Sequence, residues 1–346
     1  MTAFPPLWDD PVGAEPERLG AEQSSPAARA AGQRLVEDIR RAERLTRGWA
    51  DRPLTDALVD AALCRCLGQL VRTGCWGRAN RLPSHALWQA AESVLPFGWL
   101  QHRARFKPRG YAGDYLLLYR ICKEVCCDHP LGWAFDRYFL RQSAPLAVRL
   151  RTRQTSVALA DHRLAHGGGS YEVLSFGSGP ALDLRQALAI VPPTQRSAIH
   201  VTLVDLDPEA LDFARGQLDG LLTASQFDCI RANLFRAATG PCSDDLGTPH
   251  FLVCPGLFDY LEDKDAVRML AALWQRLAPG GLMTVGNFAP HNASRAYMEW
   301  IGNWYLVYRT PADFLRLALQ AGIPRTRLTI SCEPAGVNLF LVAWKP

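Results

Sequence analysis

Residues 171–184 read YEVLSFGSGPALDL. Tyr171 to Phe176 has the look of a short buried strand, and Gly177 and Gly179 then supply a tight turn into the helical pattern ALDLRQALAI. Strand, glycine turn and helix together open a nucleotide-binding unit. The loop then departs from the dinucleotide pattern. Leu182 stands where a third glycine would complete G-x-G-x-x-G, and Pro180 follows the second glycine directly.

The rhythm around this stretch sets the fold class. Strand-like HVTLVDL precedes helical PEALDFARGQL; FDCIRANL, HFLVCPG, helical KDAVRMLAALWQRLA and GLMTVGNF follow. Strands alternating with helices predict a parallel sheet with right-handed crossovers. The chain ends differently, with RLTISCEP and NLFLVAWKP joined by the turn AGV, two strands too close in sequence to be anything but antiparallel neighbours. The expected fold is therefore α/β: a Rossmann-like, doubly wound sheet with a C-terminal antiparallel hairpin at one edge. Class I S-adenosylmethionine methyltransferases have that hairpin; a plain dinucleotide-binding domain does not need it.

Upstream the patterns are helical only. AARAAGQRLVEDIRRAERLTRGW, LTDALVDAALCRCLGQLVRTG, HALWQAAESVL, DYLLLYRICKEVCC and PLAVRLRTRQTSVALADHRLA all repeat apolar residues every three or four positions. The organisation predicted is a mobile, Pro- and acid-rich segment 1–26, an all-helical lid or substrate-binding region 27–166, and a cofactor-binding domain 167–346, with HGGGS (166–170) as the hinge between the last two.

Composition narrows the function classes. A net charge of +4 over 346 residues gives no basic block for nucleic acid. No run reaches the roughly 18 apolar residues that membrane insertion needs. The N-terminus lacks the basic-then-apolar order of a secretory signal, so the ten cysteines are expected reduced in a cytoplasm. Cys122, Cys126, Cys127, Asp128 and His129 lie close together, but without paired C-x-x-C spacing. They read as buried helical thiols rather than a metal site.

Next comes the question of what the glycine loop holds. A pyrophosphate needs free N–H groups at the helix start, and Pro180 removes one. A cofactor without phosphates tolerates that loss. S-adenosyl-L-methionine is such a cofactor, and Gly177, Ser178 and Gly179 would lie against it. Asp205 ends the second strand, 26 positions after Gly179, where its carboxylate can accept both ribose hydroxyls, with Leu206 beside it. Asp207 precedes Pro208 and suits a helix N-cap instead. Asn233 and Leu234 follow the third strand, where an amide and an apolar face could meet adenine. Pro255, in CPGLFDYL after the fourth strand, forms the lip beneath.

SFGSGPALDL, CPGLFDYLEDKDA, LAPGGLMTVGNFAP, YMEWIGNWYLVYRTPADF and KPRGYAGDY together resemble bacterial methyltransferases of 3-hydroxypalmitic acid methyl ester biosynthesis. The resemblance runs from about Lys107 to Trp344, and the GYAGD and GLFDYL motifs are its specific part. It implies a class I fold, S-adenosyl-L-methionine as methyl donor and a carboxylate acceptor. His250 stands where the fourth strand usually opens with Asp, and Cys254-Pro255 replaces a small Ser-Ala pair. Both departures are expected near the cofactor or acceptor cavity.

The resemblance also gives RFKPRGYAGDY a role: a loop covering the cofactor, with Arg109 or Tyr111 near a carboxylate and Asp114 near an ammonium. Read from composition alone, the same stretch is a solvated basic loop that caps a helix. After the fifth strand, Asn287 is placed at the active-site rim. Met298, Trp304, Tyr308 and Arg309 become candidate substrate contacts on or after an acceptor-facing helix, while Glu299 and His291 are candidate bases. The bland alternative is a packed aromatic helix with Glu299 paired to Arg309 and His291 on the surface. A carboxylate acceptor is already ionised at neutral pH and needs no base, whereas a hydroxyl, an amine or a carbon does. The leading expectation is methylation of a small, largely apolar metabolite in specialised metabolism, giving a methyl ester. Carbon methylation of a prenyl diphosphate, O- or N-methylation of another metabolite, and a non-catalytic cofactor-binding regulator are the alternatives. A nucleic-acid methyltransferase lacks its N/D-P-P-Y/F motif, and Pro180, Leu182 and the hairpin weigh against an NAD-dependent dehydrogenase.

Overall fold

The structure, a computed structural model, describes residues 15–240 and 246–346, side chains before Ser24 excepted. Its contacts divide the chain into two compact units, residues 1–145 with 293–305 and residues 146–292 with 306–346.

Among the described residues seven strands form one sheet in the order β3-β2-β1-β4-β5-β7-β6. β1 (Tyr171–Phe176), β2 (Ile199–Asp205), β3 (Phe227–Arg231), β4 (Phe251–Cys254) and β5 (Leu282–Phe288) are parallel. β6 (Leu328–Cys332) and β7 (Asn338–Trp344) form the hairpin, and β7 runs antiparallel beside β5. This is the class I methyltransferase sheet expected from the sequence. The order reverses between β1 and its neighbours β2 and β4, so the loop after β1 lies at the switch point where such sheets bind ligands.

Both faces of the sheet are covered, which is why its parallel strands read as nearly continuous apolar runs. On one face Leu174, Phe176, Leu252 and Met283 pack with Leu270 of α12 (Asp263–Arg276) and Phe314 of α13 (Pro311–Gln320). On the other, Val173, Val201 and Val253 pack with Leu184 of α8 (Leu182–Ile190), Leu211 of α10 (Pro208–Leu218) and Leu159 of α7 (Ser143–Ala165). Short α9 (Pro193–Arg196) and α11 (Leu234–Thr239) complete the crossovers. From Leu146 onward α7 belongs to the sheet unit, 20 residues before the hinge-like HGGGS, because Leu159 and Ala160 are part of this core.

The helical unit holds α1 (Glu15–Leu45), α2 (Arg52–Val71), α3 (Arg81–Ala90), α4 (Trp99–Phe106), α5 (Tyr115–Lys123) and α6 (Pro130–Leu140). Of the segment expected to be mobile, residues 1–14 lie outside the described residues. From Glu15 the chain is helical, the Glu, Arg, Leu, Ala and Gln of EPERLGAEQ outweighing Gly20 and Pro26. A second correction concerns the cysteines. α5 stops at Lys123 because Glu124 turns left-handed at φ 52°, so Cys126 and Cys127 sit in a loop, not on a helix. That loop is fixed by buried Asp136, whose carboxylate accepts from the Cys127 and Leu100 N–H groups at 3.0 and 2.8 Å.

Candidate functional site

The β1 loop is built from backbone conformations that side chains disfavour. Gly177 and Gly179 have φ of 74° and 50°, and Ala181 follows at 49°. A Cβ on Gly177 would stand 3.3 Å from Leu234 Cδ1. Ser178 is held inward, its hydroxyl donating to the Ser175 carbonyl at 3.0 Å. The Gly177 and Ser178 N–H groups bond to the Val204 carbonyl, which ties the loop to the end of β2.

Asp205 completes that tie. Its Oδ2 accepts from Gly179 N–H and its Oδ1 from Asp207 N–H, both at 3.0 Å. Burial pushes its carboxyl up against the pull of those two donors. A carboxylate offers about four lone-pair positions, so this nearly buried group keeps acceptor capacity for a further donor, such as a ribose hydroxyl supplies. Beside it, Leu206 exposes half of its surface, an apolar face available to a ring. Asp207 caps α10 by accepting from Glu209 N–H at 3.0 Å. Asn233 caps α11 through its Oδ1, leaving its amide N–H₂ available. The residues present fit S-adenosylmethionine: a glycine turn for close approach, a buried acid with open acceptor positions, and leucines to either side.

Past the ends of β4 and β5 the structure corrects the sequence reading. Arg309 is buried and serves the protein itself. Its guanidinium donates to the Phe258 carbonyl at 2.8 Å, the Leu261 carbonyl at 2.5 Å, Asn287 Oδ1 at 2.6 Å and Asp263 Oδ1 at 3.0 Å. Asn287, placed at the rim by its sequence position, is likewise fully buried, its amide donating to the Val307 and Phe288 carbonyls. Both residues staple GLFDYL to β5 and are not exposed to a substrate. Pro255 is locked in the same way: Gly286 of β5 runs so close that a Cβ there would lie 2.3 Å from the Pro255 carbonyl oxygen.

Asp259 and Arg151 were not singled out by sequence. Asp259 Oδ1 accepts from Phe288 N–H at 2.6 Å, and burial pushes its carboxyl up to about 6. Arg151, reaching in from α7, lies 4.0 Å from Asp259 Oδ2 and donates to Asn338 Oδ1 at 3.2 Å. The D of GLFDYL was a usable signal; the arginine was hidden in a helix assigned elsewhere. His250 is corrected too. It opens β4 at the amino end of the sheet, stacked on Tyr171 and accepting from Glu172 N–H at 3.0 Å, away from the carboxyl ends where the loops above gather. Cys254 is fully buried, which pushes its thiol up to about 12 and leaves it inert.

Among the remaining candidates, His291 is exposed and lies near Gly336 of the β6–β7 turn, and the Tyr308 hydroxyl accepts from Asn292 at 3.5 Å. Asp114, Glu299, Met298 and Trp304 belong to the helical unit, as do half-buried Arg109 and Tyr111. Asp114 is consumed there: Oδ1 caps α5 through the Leu116 and Leu117 N–H groups, and Arg103 Nε bonds its two oxygens at 2.9 and 2.8 Å. The helix expected around YMEWIGNW is a single π-helical turn, Tyr297–Ile301, that buries Met298 and Trp300. Glu299 does not pair with Arg309. Its carboxylate takes Arg295 Nε at 2.7 Å and Gly77 N–H at 2.8 Å. Among the described residues no three His, Cys, Asp or Glu side chains gather as a metal-ligand set, and no helix is long and apolar enough to cross a membrane.

The chain matches no known family model and no curated protein. Among solved structures it is similar over 97% of its length, and 100% of the other chain's, to a possible exported protein from Bordetella parapertussis, at 18% identity and a TM-score of 0.56. It also matches a DUF574 family protein from Streptomyces avermitilis, at 17% identity and TM-score 0.47, covering 66% of this chain and 96% of that one. A third match is the magnesium protoporphyrin IX methyltransferase of Synechocystis PCC 6803 with bound S-adenosylhomocysteine. There the values are 14% identity and TM-score 0.43, with 59% of this chain and 87% of that one covered.

Proposed function

We propose that this protein is an S-adenosylmethionine-dependent methyltransferase that esterifies a small, largely apolar carboxylic acid. The observation that carries the cofactor is the Gly179–Asp205 pair at the switch point, a buried carboxylate bonded to a glycine turn and still short of donors. When bound, the cofactor supplies a methyl group on a positively charged sulfur. The chain's part is to seat it: Gly177 and Gly179 allow close approach, Asp205 fixes the ribose, and Leu206 and Leu234 bound the adenine.

A carboxylate acceptor is supported by what the candidate bases are doing. Glu299 is committed to Arg295 and Gly77, and His291 sits exposed on a turn. An acceptor that arrives already ionised asks nothing of either.

Calorimetry with S-adenosylmethionine, S-adenosylhomocysteine and NAD tests the cofactor: micromolar binding of the first two and none of NAD is expected, and tight NAD binding overturns the reading. Incubation with labelled S-adenosylmethionine and host metabolites then identifies the acceptor. A carboxylic acid should carry the label as a base-labile ester.

Glu299→Gln separates a base from a strut. A base supplies about 10²–10⁴-fold in kcat. We expect turnover per folded molecule to stay within about tenfold, while stability drops by about 1–3 kcal/mol because the buried charge is lost and one of its two donors, Arg295 or Gly77, then faces an amide N–H₂. A collapse of kcat with unchanged stability would reverse the assignment and point to a proton-bearing acceptor.

A further inference from the structure

Three cations of the helical unit converge without an acid between them. Arg81 begins α3, Arg105 lies in the last turn of α4, and Lys107 follows that helix. Arg81 stands over the Tyr305 ring at 5.7 Å, and Arg105 over the Trp88 ring at 4.6 Å. Arg105 also donates to the Ser84 hydroxyl at 2.9 Å and the Ser84 carbonyl at 3.2 Å. Among the described residues none of the three forms an ion pair with a carboxylate.

The arrangement is costly as it stands. Desolvation, with the Arg81 and Arg105 charges added to it, pushes the Lys107 ammonium down to about 8. Lys107 is also held in the left-handed region at φ 46°, unusual for a residue with a side chain. In the same place the Tyr305 hydroxyl is sealed from solvent with no hydrogen-bond partner. Ser84 lies near it, but that hydroxyl already donates to the Trp300 carbonyl and accepts from Arg105, both at 2.9 Å, and is not placed to bond Tyr305. A buried hydroxyl that makes no hydrogen bond among the described residues and half-buried cations without an anion would both be satisfied by an oxyanion.

We propose that Arg81, Arg105, Lys107 and the Tyr305 hydroxyl form a binding site for the oxyanion headgroup, carboxylate or phosphate, of an organic acid. The surroundings suit a molecule with an apolar body. Phe106 is exposed between Arg105 and Lys107 and packs edge-on against Trp88 at 5.8 Å, and exposed Leu82 adjoins Arg81. Exposed Arg81 keeps the site open to solvent. The site lies wholly within the helical unit, so it does not rest on the methyl-transfer reading.

The test is titration of the full-length protein with octanoate, octyl phosphate and inorganic phosphate by calorimetry. S-adenosylhomocysteine binding is measured on the same samples, to separate a failure here from a failure of the cofactor site. Saturable one-to-one binding of octanoate or octyl phosphate is expected, and the tighter of the two identifies the headgroup. Arg81→Gln and Lys107→Asn should each weaken it about tenfold or more. Asparagine tolerates the left-handed backbone, so the second variant keeps the loop. Tyr305→Phe should weaken it several-fold. Affinity should fall as pH rises through about 8 in the wild type, where Lys107 loses its proton beside Arg81, Arg105, Tyr305 and the more distant Glu299, and not in Lys107→Asn. No saturable binding of any of the three anions, or affinities unchanged in both Arg81→Gln and Lys107→Asn, overturns the proposal.

Discussion

Arg309→Ala should cost about 3–5 kcal/mol of stability, the range for removing one partner of a buried, hydrogen-bonded charge network. The guanidinium serves two backbone carbonyls, Phe258 and Leu261, one amide oxygen on Asn287 and one carboxylate on Asp263. Alanine leaves the carbonyls shut in without donors and opens a cavity where the side chain was. Asp263 suffers least, because it is half-exposed and Arg316 also holds it at 2.7 Å. Arg309→Lys should recover little, since one ammonium cannot face four acceptors spread around a planar fork. Arg316→Ala, removing only exposed pairs to Asp263 and Asp313, should leave the midpoint nearly unmoved. Urea denaturation of the three variants decides the point. A loss below about 1 kcal/mol in Arg309→Ala, or full recovery by lysine, would return Arg309 to the substrate-binding candidates.

The contrast between Arg309 and Asp205 shows what the sequence could carry. Strand periodicity, the glycine turn and the terminal hairpin are local signals, and each names its own element; hence the sheet, its edge and the acid at the end of β2 were legible. Arg309 follows β5 at a position where a substrate contact is plausible, and nothing in NWYLVYRT shows that the chain folds back to present it to Leu261. Glu299 misleads for the same reason. Its true partner Arg295 lies four residues away, a helical neighbour, while Gly77 lies 222 positions off. Arg151 was missed because a helix following a run of helices was grouped with them, and only the packing of Leu159 against β1 assigns its end to the sheet. Local chemistry was readable; the long-range choice of partner was not.

Gly179→Leu should abolish detectable S-adenosylmethionine binding, and Asp205→Ala should weaken it by about 1–3 kcal/mol, the worth of charge-assisted hydrogen bonds to a ribose. The two effects are not independent. Asp205 Oδ2 holds the Gly179 N–H at 3.0 Å, so removing the carboxylate frees the loop as well as losing the proposed ribose contact. A milder pair resolves this. Gly179→Ala adds one methyl at φ 50°, at about 1 kcal/mol of backbone strain, and can be measured alone and with Asp205→Asn, which keeps the shape and one acceptor oxygen. If the loop and the acid act as one device, the double variant should bind more tightly than the sum of the two losses allows, with a coupling of at least about 0.5 kcal/mol. Strict additivity would mean that the hydrogen bond between them contributes nothing to the bound state. Unchanged affinity in both single variants would remove the β1 loop from the cofactor site altogether.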